Sequence, residues 1–269
     1  QMDDVLYEAR MLAESGVKEL IVVAQDTSRY GTDLPGHKRL LAPLLRELCK
    51  IEKLHWIRVH YVYPDEIDDE LIDTIAQEEK IVKYLDIPIQ HCNDAILKKM
   101  NRRGSGAFVA DLLAKLRARI PGLVIRTSII TGLPGEGEAE FAELCEFLKK
   151  QHMERVGAFP FSPEEGTPAA KMDYPDSDVA QQRAEMVEEI QSRIMDDYNA
   201  SMVGRTLEVL VDGFDEDAEQ FYGRTYADSP DIDGRVWIAC DEPLTVGDFV
   251  QVTIDAVEDG YLCGYVAEE

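Results

Sequence analysis

Several features that often fix a protein's class are scarce in this chain. Its 269 residues include only five cysteines, Cys49, Cys92, Cys145, Cys240 and Cys263, and no two lie at a CxxC-like spacing. That pattern argues against a disulfide framework, a zinc ribbon or a local iron–sulfur loop, and favours free thiols in a reducing compartment. No run of about 18 apolar residues occurs, so no membrane span is expected. Neither end reads as a signal peptide, which makes the cytoplasm the expected compartment. The glycines form neither the dinucleotide fingerprint nor the phosphate loop. Positive charge is also short: 28 Lys and Arg face 53 acids, for a formal net charge of −25. Such a field repels phosphate backbones and anionic membranes and attracts cations or basic partners.

What is present is an alternation of apolar runs and amphipathic stretches. A helix is predicted over Asp3 to Ser15, with Leu6, Ala9 and Leu12 on one face and Gly16 as its stop. Glu19 to Ala24 then reads as a buried parallel strand, apolar on both faces. Similar runs follow at Trp56 to Tyr63, Tyr84 to Ile89, Leu123 to Thr131 and Val156 to Phe161. Helices are predicted between them at about 37–53, 65–77, 107–120 and 138–151, the third with Phe108, Leu112, Leu116 and Ile120 in phase. Repeated strand–helix units predict an α/β fold, a parallel sheet wrapped by helices in open or barrel form. A crossover helix covers two neighbouring strands, yet the first helix has no strand before it. The expectation is a chain that is the later part of a longer protein, its first barrel strand and loop cut away.

Composition then shifts. Residues 176–202 predict one long helix with a stripe of Val187, Ile190, Ile194 and Tyr198. From Val203 onward, five short strand-like runs separated by Gly- and Asp-rich turns predict a small β-barrel. The expected division is therefore a barrel with linker helix over 1–202 and a β module over 203–269. That module holds three Arg, no Lys and 17 acids, a net −14, which disfavours nucleic acid as its partner.

In a parallel β/α barrel, active-site groups project from the loops after the strands. Polar residues gather there: Gln25 and Asp26 after the first run, His60 to Pro64 after the second, and Gln90, His91 and Cys92 after the third. The fourth carries Arg126, Thr127 and Ser128 and closes on Thr131-Gly132-Leu133-Pro134-Gly135-Glu136. The fifth runs through Phe159 and Phe161 to Glu164 and Glu165. Plainer readings stand beside these. Gln25 and Asp26 also suit a turn, His91 an ordinary loop, and Glu136 the first turn of a helix. No single motif decides; their order on successive strands does.

That order resembles the radical S-adenosylmethionine methylthiotransferases. The resemblance rests on Val23-Ala24-Gln25-Asp26-Thr27-Ser28-Arg29-Tyr30-Gly31, Ile87-Pro88-Ile89-Gln90-His91 with Met100-Asn101-Arg102, Thr131 to Glu136, and Phe161 to Pro168. It covers essentially the whole chain, the terminal module resembling that family's TRAM domain. Ala24-Gln25-Asp26 and the acidic module resemble the branch acting on a ribosomal protein. The alternatives are the tRNA-modifying branch and a non-catalytic scaffold docking a basic partner.

The resemblance implies a partial TIM-like (β/α) barrel and a cofactor set of S-adenosylmethionine with two [4Fe–4S] clusters. The radical chemistry would place a methylthio group on the β-carbon of an aspartate in a basic small-subunit ribosomal protein. Gln25 and Asp26 would meet the methionyl ammonium, and Gln90 and Arg126 the ribose and carboxylate, with Ser128 beside them. Phe161 would flank the adenine. Glu164, Glu165, Phe221 and Tyr222 would dock substrate. The family's Cys-x3-Cys-x2-Cys loop is absent from residues 1–269, so no catalytic residue and no cluster ligand is expected here, and the piece alone is expected to be inactive. A monomer is expected.

Overall fold

A computed structural model describes residues 1–267. Five parallel strands form one sheet in chain order: β1 (Glu19–Val22), β2 (Trp56–Val59), β3 (Ile81–Asp86), β4 (Val124–Thr131) and β5 (Arg155–Pro160). Helices alternate with them: α1 (Met2–Glu14), α2 (Leu41–Cys49), α3 (Asp69–Gln77), α4 (Asp94–Lys99), α5 (Gly106–Arg119), α6 (Glu138–Gln151) and α7 (Ser177–Ala200). One sheet face packs Ile57, Val59, Leu85, Ile125 and Ile129 against helix residues such as Leu45, Ile72, Leu113 and Leu144. Side chains alternate along a strand, so Trp56, Arg58, Tyr84, Val124 and Arg126 take the other, inner face. The result is an open, partial (β/α) barrel.

The chain closes with β6 (Thr206–Asp215), β7 (Gln220–Arg224), β8 (Val236–Ala239), β9 (Phe249–Glu258) and β10 (Tyr261–Val266). They form a closed barrel in the order β10-β8-β7-β6-β9. Val209, Val211, Val236, Ile238, Val252 and Ile254 fill it.

Four local expectations change. β1 is half-buried because it is an edge strand paired only with β2. Phe108 is exposed at 40%, and the buried stripe of α5 is Val109, Leu112, Leu113 and Leu116. Leu12 likewise faces outward while Ala13 is buried in its place. The six-residue helix α4 was not predicted, although the Asn93 side chain caps it by accepting from Ala95 N and Ile96 N.

The two barrels interlock. The segment between β7 and β8 lies across the inner sheet face, where Ala227 and Leu210 pack with Trp56, Val82, Tyr84 and Val124. Polar contacts accompany that packing. Arg58 Nη1 donates to Tyr226 O at 2.8 Å, Tyr84 Oη to Asp233 Oδ2 at 2.6 Å, and Ser229 Oγ meets His60 Nε2 at 3.1 Å. Arg224 Nη1 reaches Glu19 Oε2 at 2.7 Å.

Candidate functional site

The loops after β1 to β3 surround a cavity of about 410 Å³, within the usual range for small-molecule sites. Gln25, Asp26, Tyr63 and Arg102 are among its lining residues. The loop after β1 is pinned from within. Ala24 N donates to Thr27 Oγ1 at 2.9 Å, and Thr27 N to Tyr61 O at 3.0 Å. Ser28 Oγ donates to Asp26 Oδ1 and accepts from Tyr63 N. Asp26 is thus held half-buried at the rim, with Gln25 exposed beside it.

Gln90 joins this site through Arg102. Its backbone is clamped to β4 on both sides, Gln90 N to Ser128 O and Ile130 N to Gln90 O, each 2.9 Å. That clamp holds Gln90 at φ +65°, a left-handed conformation that costs a non-glycine residue about 1 kcal/mol or more. Its Oε1 accepts from Arg102 Nε at 2.9 Å, and the Arg102 guanidinium lies 4.7 Å from the Tyr63 ring centre. Arg102 has no carboxylate partner among the described residues, so its remaining N–H groups are available to an anion. Arg102 and Tyr63 were not expected as site residues; the only signals were the Met100-Asn101-Arg102 motif and the polar run after β2.

Arg126 is placed elsewhere. It lines a second cavity of about 410 Å³ with Arg155, Glu188, Asp228, Asp233 and Asp259, between β4, β5, α7 and the terminal barrel. Its Nη1 donates to Asp86 Oδ2 at 2.9 Å. Ser128 stands two residues further along the same face of β4. Phe161 stacks edge-on against Tyr174 at 5.3 Å. Glu164 and Glu165 are exposed in the loop after β5. Phe221 pairs with Phe214, and Tyr222 with Trp237, on the terminal barrel. The structure therefore gathers Gln25, Asp26 and, through Arg102, Gln90, and leaves the other expected residues outside that cavity.

His91 and Glu136 are parts of the scaffold. Glu136 accepts from Gly132 N at 2.9 Å and from Arg183 Nη1 at 2.8 Å, fully buried. His91 Nε2 lies 3.3 Å from Glu136 Oε2, poorly aligned for a hydrogen bond, while its Nδ1 accepts from Asn93 N. Burial works to raise the Glu136 pKa, but His91, Gly132 N and Arg183 together hold it below the ordinary value. Glu136 thus precedes α6 as a buried staple instead of capping its first turn. Burial pushes the thiols up, Cys92 to about 12 and Cys49 to about 11.

The sequence profile of the Radical SAM superfamily matches residues 1–148. The chain belongs to the radical SAM superfamily. A second profile, the TRAM domain, matches residues 203–266. Radical SAM relatives include the ribosomal protein uS12 methylthiotransferase RimO of Acetivibrio thermocellus, 46% identical over 100% of this chain and 59% of that protein. The protein of the same name from Caldanaerobacter subterraneus subsp. tengcongensis is 48% identical over 96% of this chain and 59% of its own length. The chain thus spans about 60% of the length of these relatives. Among solved radical SAM structures, coproporphyrinogen III oxidase (HemN) from Escherichia coli aligns with a TM-score of 0.54 at 17% identity, covering 71% of this chain and 45% of that one. That likeness concerns the fold.

The radical SAM superfamily implies S-adenosylmethionine and iron–sulfur chemistry. The first cavity fits the methionyl end of that cofactor: two acceptor side chains suit an ammonium, and a guanidinium suits a carboxylate. Among the described residues no three His, Cys, Asp or Glu side chains form a group able to hold a metal ion.

Proposed function

We propose that the complete enzyme to which this chain belongs is a methylthiotransferase that modifies an aspartate of ribosomal protein uS12. One observation carries the reading: identity of 46–48% across 96–100% of the chain to proteins bearing that activity in their names. The acidic terminal barrel supports it, since a net −14 favours a Lys- and Arg-rich protein over a phosphate backbone. S-adenosylmethionine and two [4Fe–4S] clusters would supply the one-electron chemistry that breaks an unactivated C–H bond, a step no side chain can perform as a base.

This chain's own part is to bind and orient. Gln25 and Asp26 accept from the methionyl ammonium, Asp26 being steadied by Ser28. Arg102, aimed by Gln90 and backed by Tyr63, takes the methionyl carboxylate. Ser128 and Phe161 extend the site along β4 and β5 toward the nucleoside. The exposed carboxylates of Glu164 and Glu165, with Phe221 and Tyr222, offer contacts to a basic protein. We place the enzyme in the cytoplasm as a monomer, with no membrane or nucleic-acid partner.

The test incubates the complete, cluster-reconstituted enzyme with uS12 and, separately, with tRNA. Mass spectrometry should find a methylthio group replacing a hydrogen on one aspartate. Modification of tRNA with untouched uS12 would overturn the proposal.

A further inference from the structure

We propose that Arg126 binds the side-chain carboxylate of the acceptor aspartate, with Asp86 as its positioning residue. This rests on the methylthiotransferase reading and gives Arg126 a different partner from the cofactor carboxylate that the family resemblance implies.

Location is the first reason. Arg126 is absent from the cavity that holds Gln25, Asp26 and Arg102, and lines the one that opens between the two barrels. A methionyl carboxylate held near Asp26 has Arg102 at hand. The second cavity is where a polypeptide reaching in between α7 and the terminal barrel would arrive.

Unspent hydrogen-bonding capacity is the second reason. Arg126 is 11% exposed, and its one side-chain hydrogen bond among the described residues runs from Nη1 to Asp86 Oδ2. A guanidinium has five N–H donors in a planar fork, so an edge remains for a second carboxylate. Of the four acids lining the cavity, Glu188 and Asp259 are exposed to solvent, and the two with buried side chains are already engaged. Asp233 accepts from Tyr84 Oη and Ser229 N, and Asp228 from Arg155, Thr225 Oγ1 and Thr225 N. Asp86 itself is 1% exposed, and its Oδ1 has no partner, so it serves Arg126 alone among the described residues.

Direction along the strand is the third. Ser128 follows Arg126 on the same face of β4, roughly 6.5 Å further at about 3.3 Å per residue. Ser128 O accepts from Gln90 N, so that step leads directly to the cofactor side. A carboxylate anchored at Arg126 fixes the carbon bonded to it, which for aspartate is the β-carbon. The acceptor atom would then face along β4 toward the first cavity.

The experiment uses the complete, cluster-reconstituted enzyme and two peptides copying the uS12 acceptor loop, one with Asp and one with Asn. Peptide affinity is read by fluorescence anisotropy and S-adenosylmethionine affinity by equilibrium dialysis. Wild type should prefer the Asp peptide by tenfold or more. The double variant Arg126→Gln/Asp86→Asn, which leaves no unpaired buried charge, should lose that preference while holding S-adenosylmethionine within about twofold of wild type. Asp86→Asn alone should weaken the Asp peptide and retain part of the preference. A double variant that keeps the preference, or one that loses cofactor affinity instead, overturns the assignment and leaves the proposed function standing. Wild type with no preference between the peptides, and no modification of uS12, overturns both.

Discussion

Arg155 Nη2 donates to Asp228 Oδ1 at 2.8 Å, joining the first residue of β5 to the terminal barrel with both side chains more than nine-tenths buried. Asp228 in turn accepts from Thr225 Oγ1 at 2.7 Å, so the pair is tied into the turn that follows β7. Removing one partner of such a pair strands a buried charge. Asp228→Ala should therefore cost about 3–5 kcal/mol in urea unfolding. Adding Arg155→Ala should cost less than the two single losses combined, because the stranded charge goes with it.

Arg102 is the residue on which the cofactor assignment turns. Arg102→Ala removes a charge-assisted contact of about 1.5–3 kcal/mol and should weaken S-adenosylmethionine by tenfold or more. Gln90→Ala, which loosens Arg102 without removing its charge, should have a smaller effect in the same direction. Equilibrium dialysis on the complete enzyme measures both. Unchanged affinity in Arg102→Ala would take it out of the site.

His60 should make the fold acid-sensitive. Burial first, then the positive charges of Arg58 and Arg126, lower its pKa from 6.5 to about 4, against a small opposing pull from Glu19. The unfolded chain thus binds a proton that the native state refuses, and stability rises with pH across that window. The contribution is full above pH 6.5 and declines as pH falls toward 4. His60→Gln keeps a polar group facing Ser229 and removes the titration. Its urea midpoint should fall less than that of wild type between pH 7 and pH 5; parallel losses would contradict the assignment.

Gly132 sits where the loop after β4 passes under α7. It has φ +74°, and an added Cβ would lie 2.4 Å from Ala180 Cβ. Gly132→Ala combines backbone strain with overpacking, and a loss of about 1–3 kcal/mol is expected. Thermal unfolding checks it. The companion change Gly166→Ala has φ +85° but meets open space, so it isolates the backbone share.

The strand order was legible because each parallel strand is an apolar run, Trp56 to Val59 or Val124 to Thr131, set between amphipathic helices. The grouping of Gln25 and Asp26 on one cavity wall, with Gln90 reaching it through Arg102, follows from their positions at strand ends, where such a fold exposes polar groups. Phe108 misled because hydrophobicity alone cannot say which of two helical faces meets the sheet. The placement of Arg126 could not be read locally, since it depends on a cavity wall supplied by Asp228 and Asp233 from another barrel. Glu136 was ambiguous for the same reason: Arg183, its buried partner, lies on α7.

The interlock between the barrels also sets an order of events during synthesis. All five strands of the sheet exist once Pro160 has been made, yet Arg58, Tyr84 and Arg155 must wait for Tyr226, Asp233 and Asp228. At about 5–20 residues per second, that interval of about 70 residues leaves the inner faces of β2, β3 and β5 open to water or to a chaperone for several seconds. A nascent chain stalled in that window would carry its sheet without its seal, and a protease should find the inner face until the last barrel closes over it.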